Sequence, residues 1–202
     1  EMCIRDRGEY PEIKPRFVPE GKSDWHPYDR DENTKARYWA IPGTPGLTHR
    51  LGGLEKDSKT GAISTDPENH EKMVLLRQEK VDRVAFDIPD VEPYGDADAD
   101  TLVIGWGGTF GHIHEAVDDL RAAGKKVAMA HFRYINPLPA NAIDVISKYK
   151  NIIVAELNQG QLADWLQARL PRHDVRRINK VQGQPFTVHE LVEGVKNIVN
   201  AR

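Results

Sequence analysis

The spacing of apolar residues changes at Thr101. From there on, short apolar runs alternate with segments whose apolar residues recur every three to four positions. The runs predict strands at 101–107, 126–132, 152–157 and 175–181, and the segments predict helices at 110–123, 140–149, 159–170 and from 187 onward. Four strand–helix pairs predict parallel strands with helices on both faces, which is a small doubly wound α/β sheet.

Two helix ends carry recognisable capping residues. Gly124 comes directly after the predicted helix 110–123, where a glycine commonly ends a helix in the left-handed conformation. The segment TVHE at 187–190 has the Thr-x-x-Glu spacing of a capping box, so it predicts the start of the last helix. We expect Leu191, Val195 and Ile198 to face the core.

A further helix is predicted before the sheet. Asp66, Pro67 and Glu68 combine a capping residue, proline at the first helical position and an acid in the first turn. The helix is predicted to run to about Ala85. One narrow apolar stripe is expected to pack against another surface, and it consists of Met73, Val74, Val81, Val84 and Ala85. Residues 88–89 end it, and 91–100 are predicted to be an acidic linker.

Residues 8–65 lack sustained periodicity and are rich in proline and glycine, which excludes a long helix or a central strand. Two interpretations remain open, a disordered tail or an ordered arm lying across another chain. The aromatic cluster at 38–41 favours the arm. Residues 1–7, which include Cys3, do not fit the rest of the sequence and resemble the read-through peptide of a broken gene end, so they are set aside as a non-native scar.

Composition narrows the class of protein. The 202 residues carry a net charge of −3, which gives no electrostatic reason to expect nucleic acid or an anionic membrane as partner. No apolar run has the length of a membrane span, and no secretory signal is recognisable. A single cysteine excludes an intrachain disulfide and a cysteine-based zinc site. A cytoplasmic protein is the simplest expectation.

The glycine cluster at 105–111 comes after the first predicted strand and opens a helix, as in dinucleotide-binding folds. The fingerprint G-x-G-x-x-G would need glycine where Phe110 stands. The acidic residue that binds the ribose is absent from the end of the second strand, where His131 and Arg133 stand instead. A sharp strand-to-helix turn is therefore favoured over NAD(P) binding, although phosphate binding at this helix N-terminus stays open.

Polar residues lie after the strands, at the end of the sheet where open α/β folds bind ligands. The candidates are Thr109, His131, Arg133 and Asn158, and the same strand ends carry Glu156, Asn179 and Lys180. The alternative is that these side chains contact loops or another subunit. They contain no recognisable set of nucleophile, base and orienting group. His112 and His114 lie two positions apart on a helix and face different sides, so no metal site is predicted.

The loop at 44–50 is a second candidate. Its two proline–glycine breaks make it rigid, and His49 and Arg50 present positive charge that suits a carboxylate or a phosphate. With Thr44 they form a candidate active-site or interface loop. The alternative is a turn with solvated side chains.

Five longer motifs resemble the alpha subunit of the 2-oxoglutarate branch of the 2-oxoacid:ferredoxin oxidoreductases. They are RYWAIPGTPG (37–46), HRLGGLE (49–55), DPENHEKM (66–73), RYINPLP (133–139) and NKVQGQPF (179–186). The resemblance spans about Gly8 to the end of the sequence. It implies that 96–202 form a transketolase C-terminal-like α/β domain, core domain II, and that 8–95 are the tail of a pyrimidine-binding domain with a connector.

The resemblance also implies a reaction. Thiamine diphosphate attacks a 2-oxoacid, carbon dioxide leaves, electrons pass through iron–sulfur clusters to ferredoxin, and coenzyme A takes the acyl group. In this family thiamine diphosphate and Mg²⁺ lie mainly on the beta subunit, which is the expected partner.

The family's pyrimidine-binding core is expected to lie upstream of this sequence, and no cysteine cluster is present to hold iron and sulfur. The resemblance therefore implies a C-terminal fragment that binds no cofactor alone and serves as scaffold and interface. An autonomous NAD(P)-binding domain and a non-enzymatic interaction domain remain as alternatives.

Overall fold

A computed structural model describes residues 15–19 and 21–201. The proposed scar at 1–7 and Cys3 lie outside the described residues. The chain divides into two compact units between Arg83 and Val84, and each unit is described by itself.

The second unit is built on one five-stranded sheet. Its strands are β1 (Tyr94–Gly95), β2 (Thr101–Trp106), β3 (Val127–Phe132), β4 (Asn151–Glu156) and β5 (Val175–Asn179). Its helices are α2 (Phe110–Ala122), α3 (Ala142–Ile146), α4 (Gln161–Arg169) and α5 (Val188–Asn200). The first helix of the chain, α1 (Pro67–Asp82), belongs to the first unit.

The strand order is β1-β3-β2-β4-β5, with β2 to β5 parallel and β1 antiparallel to β3. From β2 the chain crosses to β3 on one side, and from β3 it crosses back over β2 to β4 on the other side. The direction of the strand order therefore reverses between β2 and β4. The predicted doubly wound α/β class is confirmed.

Alternate residues of the strands pack into two separate hydrophobic cores, one on each face of the sheet. In β2, Leu102 and Ile104 face α3 and α4, while Val103 faces α2 and α5. The apolar residues that recur every three to four positions in the helix after β2 are all buried: Ile113, Ala116, Val117 and Leu120. Burial on both faces explains why β2, β3 and β4 are apolar nearly throughout instead of alternating, whereas in β5 only Val175 is buried.

The capping box of α5 is confirmed. The Glu190 backbone N–H donates to Thr187 Oγ1 at 3.2 Å, and the Thr187 N–H donates to Glu190 Oε2 at 2.7 Å. Lys180 also donates to this carboxylate, and it is the main cause that lowers the pKa of Glu190 to about 2.

Residues 91–100 were predicted to be a linker, and that prediction is wrong for Tyr94 and Gly95. These two residues pair with Met129 and Ala128 as the antiparallel edge strand β1. A side chain at Gly95 would collide with the backbone of Val127 and Ala128, so only glycine permits this approach. A two-residue strand offers too little periodicity to be recognised in a sequence.

The predicted helix at 140–149 shortens to α3, five residues long. Asn141, just before α3, uses its side chain to bind both the N–H and the C=O of Val91, at 2.9 and 3.0 Å. These two bonds satisfy the backbone of the chain entering the sheet.

In the first unit, α1 begins as predicted. Asp66 caps the N–H of Glu68, and Pro67 is the first helical residue. The predicted apolar stripe is only partly correct, because Met73 is buried whereas Val74 and Val81 are exposed within the described part of the chain. α1 ends at Asp82, and a short 3-10 turn comes next.

The rest of the first unit has little regular structure but many hydrogen-bonded turns. Two of them repeat one motif, D-x-x-T-x-A, at 31–36 and 57–62. In each, the Asp carboxylate accepts the N–H and hydroxyl of the Thr three residues on. The next residue is left-handed, Lys35 with φ 56° and Gly61 with φ 73°. The repeat indicates ordered structure in this segment, which argues against the disordered tail. That the segment lies across another chain stays a prediction.

The turn at 57–62 supplies a stability prediction. Gly61→Ala is expected to lower the free energy of unfolding of the first unit by about 2 kcal/mol. Its φ is positive, and a Cβ there would lie 2.8 Å from Cγ of Pro27 and 3.0 Å from Cδ2 of Tyr28. Urea unfolding monitored by fluorescence measures the change. The control is Lys35→Gly, at the matching position of the turn at 31–36. Its free energy of unfolding is expected to stay within about 1 kcal/mol of that of the parent. An unchanged Gly61→Ala variant would contradict the account.

Candidate functional sites

A buried carboxylate organises the carboxyl end of the sheet. Glu156, the last residue of β4, is 0% exposed. It accepts the backbone N–H groups of Leu162 and Ala163 at 3.1 and 3.0 Å, which places its negative charge at the N-terminus of α4. It also accepts the indole N–H of Trp106 at 3.2 Å and the Asn158 amide at 2.9 Å.

Two of the predicted site residues belong to this framework. Asn158 donates to Glu156 and accepts the N–H groups of Gly160 and Gln161 at 2.7 and 3.0 Å. Thr109 is buried, and its hydroxyl closes the turn after β2 through the N–H and C=O of Trp106. The side-chain polar atoms of both residues are occupied by these bonds.

The other two lie at the end of β3. His131 and Arg133 line a cavity of about 400 Å³ together with Tyr134 and residues 89–92. Burial, and then the charge of Arg133, lower the pKa of His131, while a backbone hydrogen bond with Gly107 acts in the opposite direction. The lowered pKa favours the neutral imidazole of His131. The Phe110 ring meets it edge-on, with centroids 5.2 Å apart.

A second cavity at this end lies where the strand order reverses. It measures about 270 Å³ and is lined by Trp106, Asn136, Trp165 and their neighbours. The guanidinium of Arg169 lies 3.4 Å above the Trp165 ring. Such a crevice is the usual ligand position in open α/β sheets.

The candidate loop at 44–50 lies in the first unit. Thr44 and Arg50 are exposed, whereas His49 is half-buried. The Nδ1 atom of His49 lies 2.9 Å from the Leu47 carbonyl, and the ring meets the edge of Trp25 with centroids 5.1 Å apart. Of the three predicted residues, His49 lines a cavity of about 400 Å³.

The residues after this loop are held by a buried lysine. Lys56 is 2% exposed, and its ammonium donates to the carbonyls of Gly52, Gly53 and Leu54, each at 2.6 Å. The turn leaves the side chains of Leu51 and Leu54 exposed. Nothing in the sequence pattern indicated this contact, because a single lysine beside glycines is usually solvated.

Glu55 is the centre of an ion-pair network. Both of its oxygens accept from Arg77 at 3.1 Å, and Oε2 lies 3.0 Å from Nδ1 of His70. The pKa of Glu55 is lowered to about 2, mainly by the hydrogen bonds from Arg77 and to a smaller extent by His70 and the backbone N–H of Lys56.

This shift predicts a pH dependence. The folded-state pKa lies below the value of about 4.3 expected in the unfolded chain, so the network stabilises above that value and loses its effect as pH falls toward 2. Glu55→Gln should lower stability by about 1 kcal/mol near neutral pH, and the difference should vanish near pH 2. Thermal unfolding between pH 7 and 2 measures it. Glu71→Gln, which removes an exposed carboxylate with no described ion pair, should not differ from the parent in this way.

Among residues 15–19 and 21–201, no helix is long and apolar enough to cross a membrane. Within the same residues, no group of three or more His, Cys, Asp or Glu side chains is arranged so that it could hold a metal ion.

Comparison with known proteins defines the class. Residues 99–191 match the family model of the pyruvate:ferredoxin oxidoreductase core domain II. The second unit is this transketolase C-terminal-like α/β domain, as the resemblance implied.

Relatives extend the match over most of the chain. The 2-oxoglutarate oxidoreductase subunit KorA of Mycobacterium tuberculosis is 46% identical over 191 residues, which are 93% of this chain and 28% of that protein. Subunit alpha of the 2-oxoacid:ferredoxin oxidoreductase 1 of Aeropyrum pernix is 34% identical over 79% of this chain and 26% of its own. The chain belongs to the family of 2-oxoacid:ferredoxin oxidoreductase alpha subunits.

A solved structure agrees with this assignment. The 2-oxoglutarate:ferredoxin oxidoreductase from Magnetococcus marinus, with 2-oxoglutarate, coenzyme A and succinyl-CoA bound, matches with a TM-score of 0.81 at 32% identity. The match covers 93% of this chain and 33% of that one. The chain thus spans about a quarter to a third of the length of these relatives.

Proposed function

We propose that the chain is part of the alpha subunit of a 2-oxoglutarate:ferredoxin oxidoreductase, which converts the 2-oxoacid, coenzyme A and oxidised ferredoxin to acyl-CoA, carbon dioxide and reduced ferredoxin. The observation that carries the proposal is the match of 93% of the chain to the Magnetococcus marinus enzyme, whose structure contains 2-oxoglutarate and succinyl-CoA. The 46% identity to a subunit of a 2-oxoglutarate oxidoreductase favours this 2-oxoacid over others.

In this proposal the reactive group is thiamine diphosphate with Mg²⁺, held mainly by the beta subunit, and an iron–sulfur cluster of the complex passes the electrons to ferredoxin. No residue of this chain is assigned to either group. The beta subunit is the partner.

The chain's own role is proposed to be structural. The strand ends of the second unit are fixed by hydrogen bonds of the polar side-chain atoms of Glu156, Asn158 and Thr109, which suits a scaffold. Exposed Trp39, Leu51 and Leu54 in the first unit suit an interface.

Two measurements test the proposal. The chain, co-expressed with the beta subunit of its own organism, is expected to co-purify with it. The complete alpha–beta complex is expected to reduce ferredoxin when 2-oxoglutarate and coenzyme A are both present, with pyruvate a poorer substrate. The chain alone should show no such activity. Activity that prefers pyruvate would reject the 2-oxoglutarate assignment, and absence of a complex would reject the interface role.

The alternatives have a separate readout. A ligand at 100 times its dissociation constant stabilises a protein by about 2.7 kcal/mol, which thermal unfolding detects easily. No stabilisation of the chain by NAD⁺ or NADP⁺ is expected. A clear effect of either would favour the dinucleotide-binding domain.

A further inference from the structure

We infer that the second unit contains a binding site for a free basic α-amino acid, at the cavity that Asp90, Glu92 and Arg133 line. The site lies beside the carboxyl end of β3, and the inference does not depend on the proposed enzyme activity.

The cavity measures about 400 Å³, a size that suits a small molecule. Its lining contains charges of both signs, the carboxylates of Asp90 and Glu92 on one segment of the chain and the guanidinium of Arg133 on another. Within the described residues, none of these three side chains forms an ion pair. Opposite charges that line one cavity without pairing leave room between them for a ligand that carries both charges.

The backbone holds the two carboxylates at one wall of the cavity. Asp90 and Glu92 flank Val91, whose side chain is buried and whose N–H and C=O both bind the Asn141 side chain, at 2.9 and 3.0 Å. Pro93 restricts Glu92 to an extended backbone. Because residues two apart in an extended chain point to the same side, both carboxylates can meet the ligand from this wall.

The opposite charge comes from the end of β3. Arg133 follows Phe132, the buried last residue of the strand, and its own side chain is exposed. The lowered pKa of His131 favours the neutral imidazole, so Arg133 supplies most of the positive charge of this wall. A guanidinium binds a carboxylate through two parallel N–H···O bonds, which makes Arg133 the group that receives the carboxylate of the amino acid.

The balance of charge selects the class of amino acid. Two carboxylates face one guanidinium, so a ligand with two cationic groups and one carboxylate matches the lining, whereas a neutral amino acid leaves one carboxylate unmatched. An acidic amino acid would bring its second carboxylate toward Asp90 or Glu92, which disfavours it. The Tyr134 ring lines the same cavity, is 48% exposed, and offers an aromatic face to a cationic side chain.

The test is a titration of the chain followed by two-dimensional amide NMR, with L-lysine, L-leucine, L-glutamate and cadaverine, which is lysine without its carboxylate. Lysine is expected to produce saturable shifts of the amides at 90–92 and 131–134, with a dissociation constant of about 1 mM or lower. Leucine should bind more weakly, and glutamate should not bind. Cadaverine should also bind more weakly than lysine, because it has no group for Arg133.

Variants separate the two walls. Arg133→Gln should weaken lysine binding about fivefold to tenfold and leave cadaverine binding unchanged, since only lysine carries the group that Arg133 binds. Glu92→Gln should weaken the binding of both ligands. The matched controls, Arg172→Gln and Glu115→Gln, each remove an exposed charge of the same unit that does not line the cavity, and they should change neither dissociation constant. The spectrum of each variant shows whether it is folded.

Several results would overturn the inference. They are the absence of saturable shifts up to about 20 mM lysine, shifts confined to amides away from the cavity, and equal weakening of lysine and cadaverine binding by Arg133→Gln. Binding of leucine or glutamate as tight as that of lysine would reject the basic amino acid as the ligand.

Discussion

Glu156→Ala is expected to lower the free energy of unfolding of the second unit by about 3–5 kcal/mol. The substitution removes the acceptor of four described donors: the N–H groups of Leu162 and Ala163, the Trp106 indole and the Asn158 amide. All four lie at a fully buried carboxylate, so water does not readily replace it. A buried donor without an acceptor costs about 1–3 kcal/mol. Urea unfolding monitored by circular dichroism measures the loss.

Two variants make this result specific. Glu156→Gln should fall between the parent and alanine, since one carbonyl oxygen remains while the amide NH₂ faces the N–H donors. Glu115→Ala, which removes an exposed glutamate of α2, should stay within about 0.5 kcal/mol of the parent. If Glu156→Ala were as stable as Glu115→Ala, the carboxylate would not be the anchor of this end of the sheet.

The α/β class could be predicted from the sequence because both of its signals were long and regular. The three strands buried on both faces, β2, β3 and β4, are nearly continuous apolar runs, and the helices show clear periodicity. The capping residues Asp66 and Thr187 marked helix starts that the structure confirms. The edge strand β1 was missed because two residues carry no period, and its stability comes from pairing with β3.

The candidate sites were less predictable, because their chemistry depends on distant contacts. Thr109 and Asn158 could be placed at strand ends from the sequence, but their bonds to Trp106 and Glu156 can be seen only in the folded chain. Whether any of the predicted site residues acts in binding or catalysis stays a prediction. Arg133 could not have been associated with Asp90, since 43 residues separate them and only folding brings both to one cavity.

The D-x-x-T-x-A repeat was within reach of the sequence. Asp with Thr three residues later is a known turn pattern, and Ala62 and Ala36 end both copies. The two copies differ at the left-handed position, which is Gly61 in one and Lys35 in the other, so the glycine alone marks only the second copy.

A substitution in the glycine cluster after β2 is expected to have the second large effect on stability. Gly105→Ala is expected to destabilise the second unit by about 2–3 kcal/mol. A Cβ at Gly105 would overlap Cδ1 of Ile113 and lie 2.6 Å from Oγ1 of Thr109. Ile113 is fully buried, and Thr109 is held by two bonds to Trp106, so neither can move away at low cost. Gly105 therefore permits the close packing of α2 on β2.

The neighbouring glycines separate this packing explanation from a phosphate-binding one. A Cβ at Gly108 or Gly111 meets no atom within 4 Å, so Gly108→Ala should be nearly neutral and Gly111→Ala, inside α2, should stabilise by about 0.5–1 kcal/mol. Urea unfolding of the three variants gives the comparison. If the glycines served a bound phosphate, thermal stabilisation by NAD⁺ would appear in the parent and be lost in Gly108→Ala. Packing instead predicts that only Gly105→Ala loses stability and that no variant responds to the dinucleotide. The reverse pattern would require a return to the dinucleotide-binding interpretation.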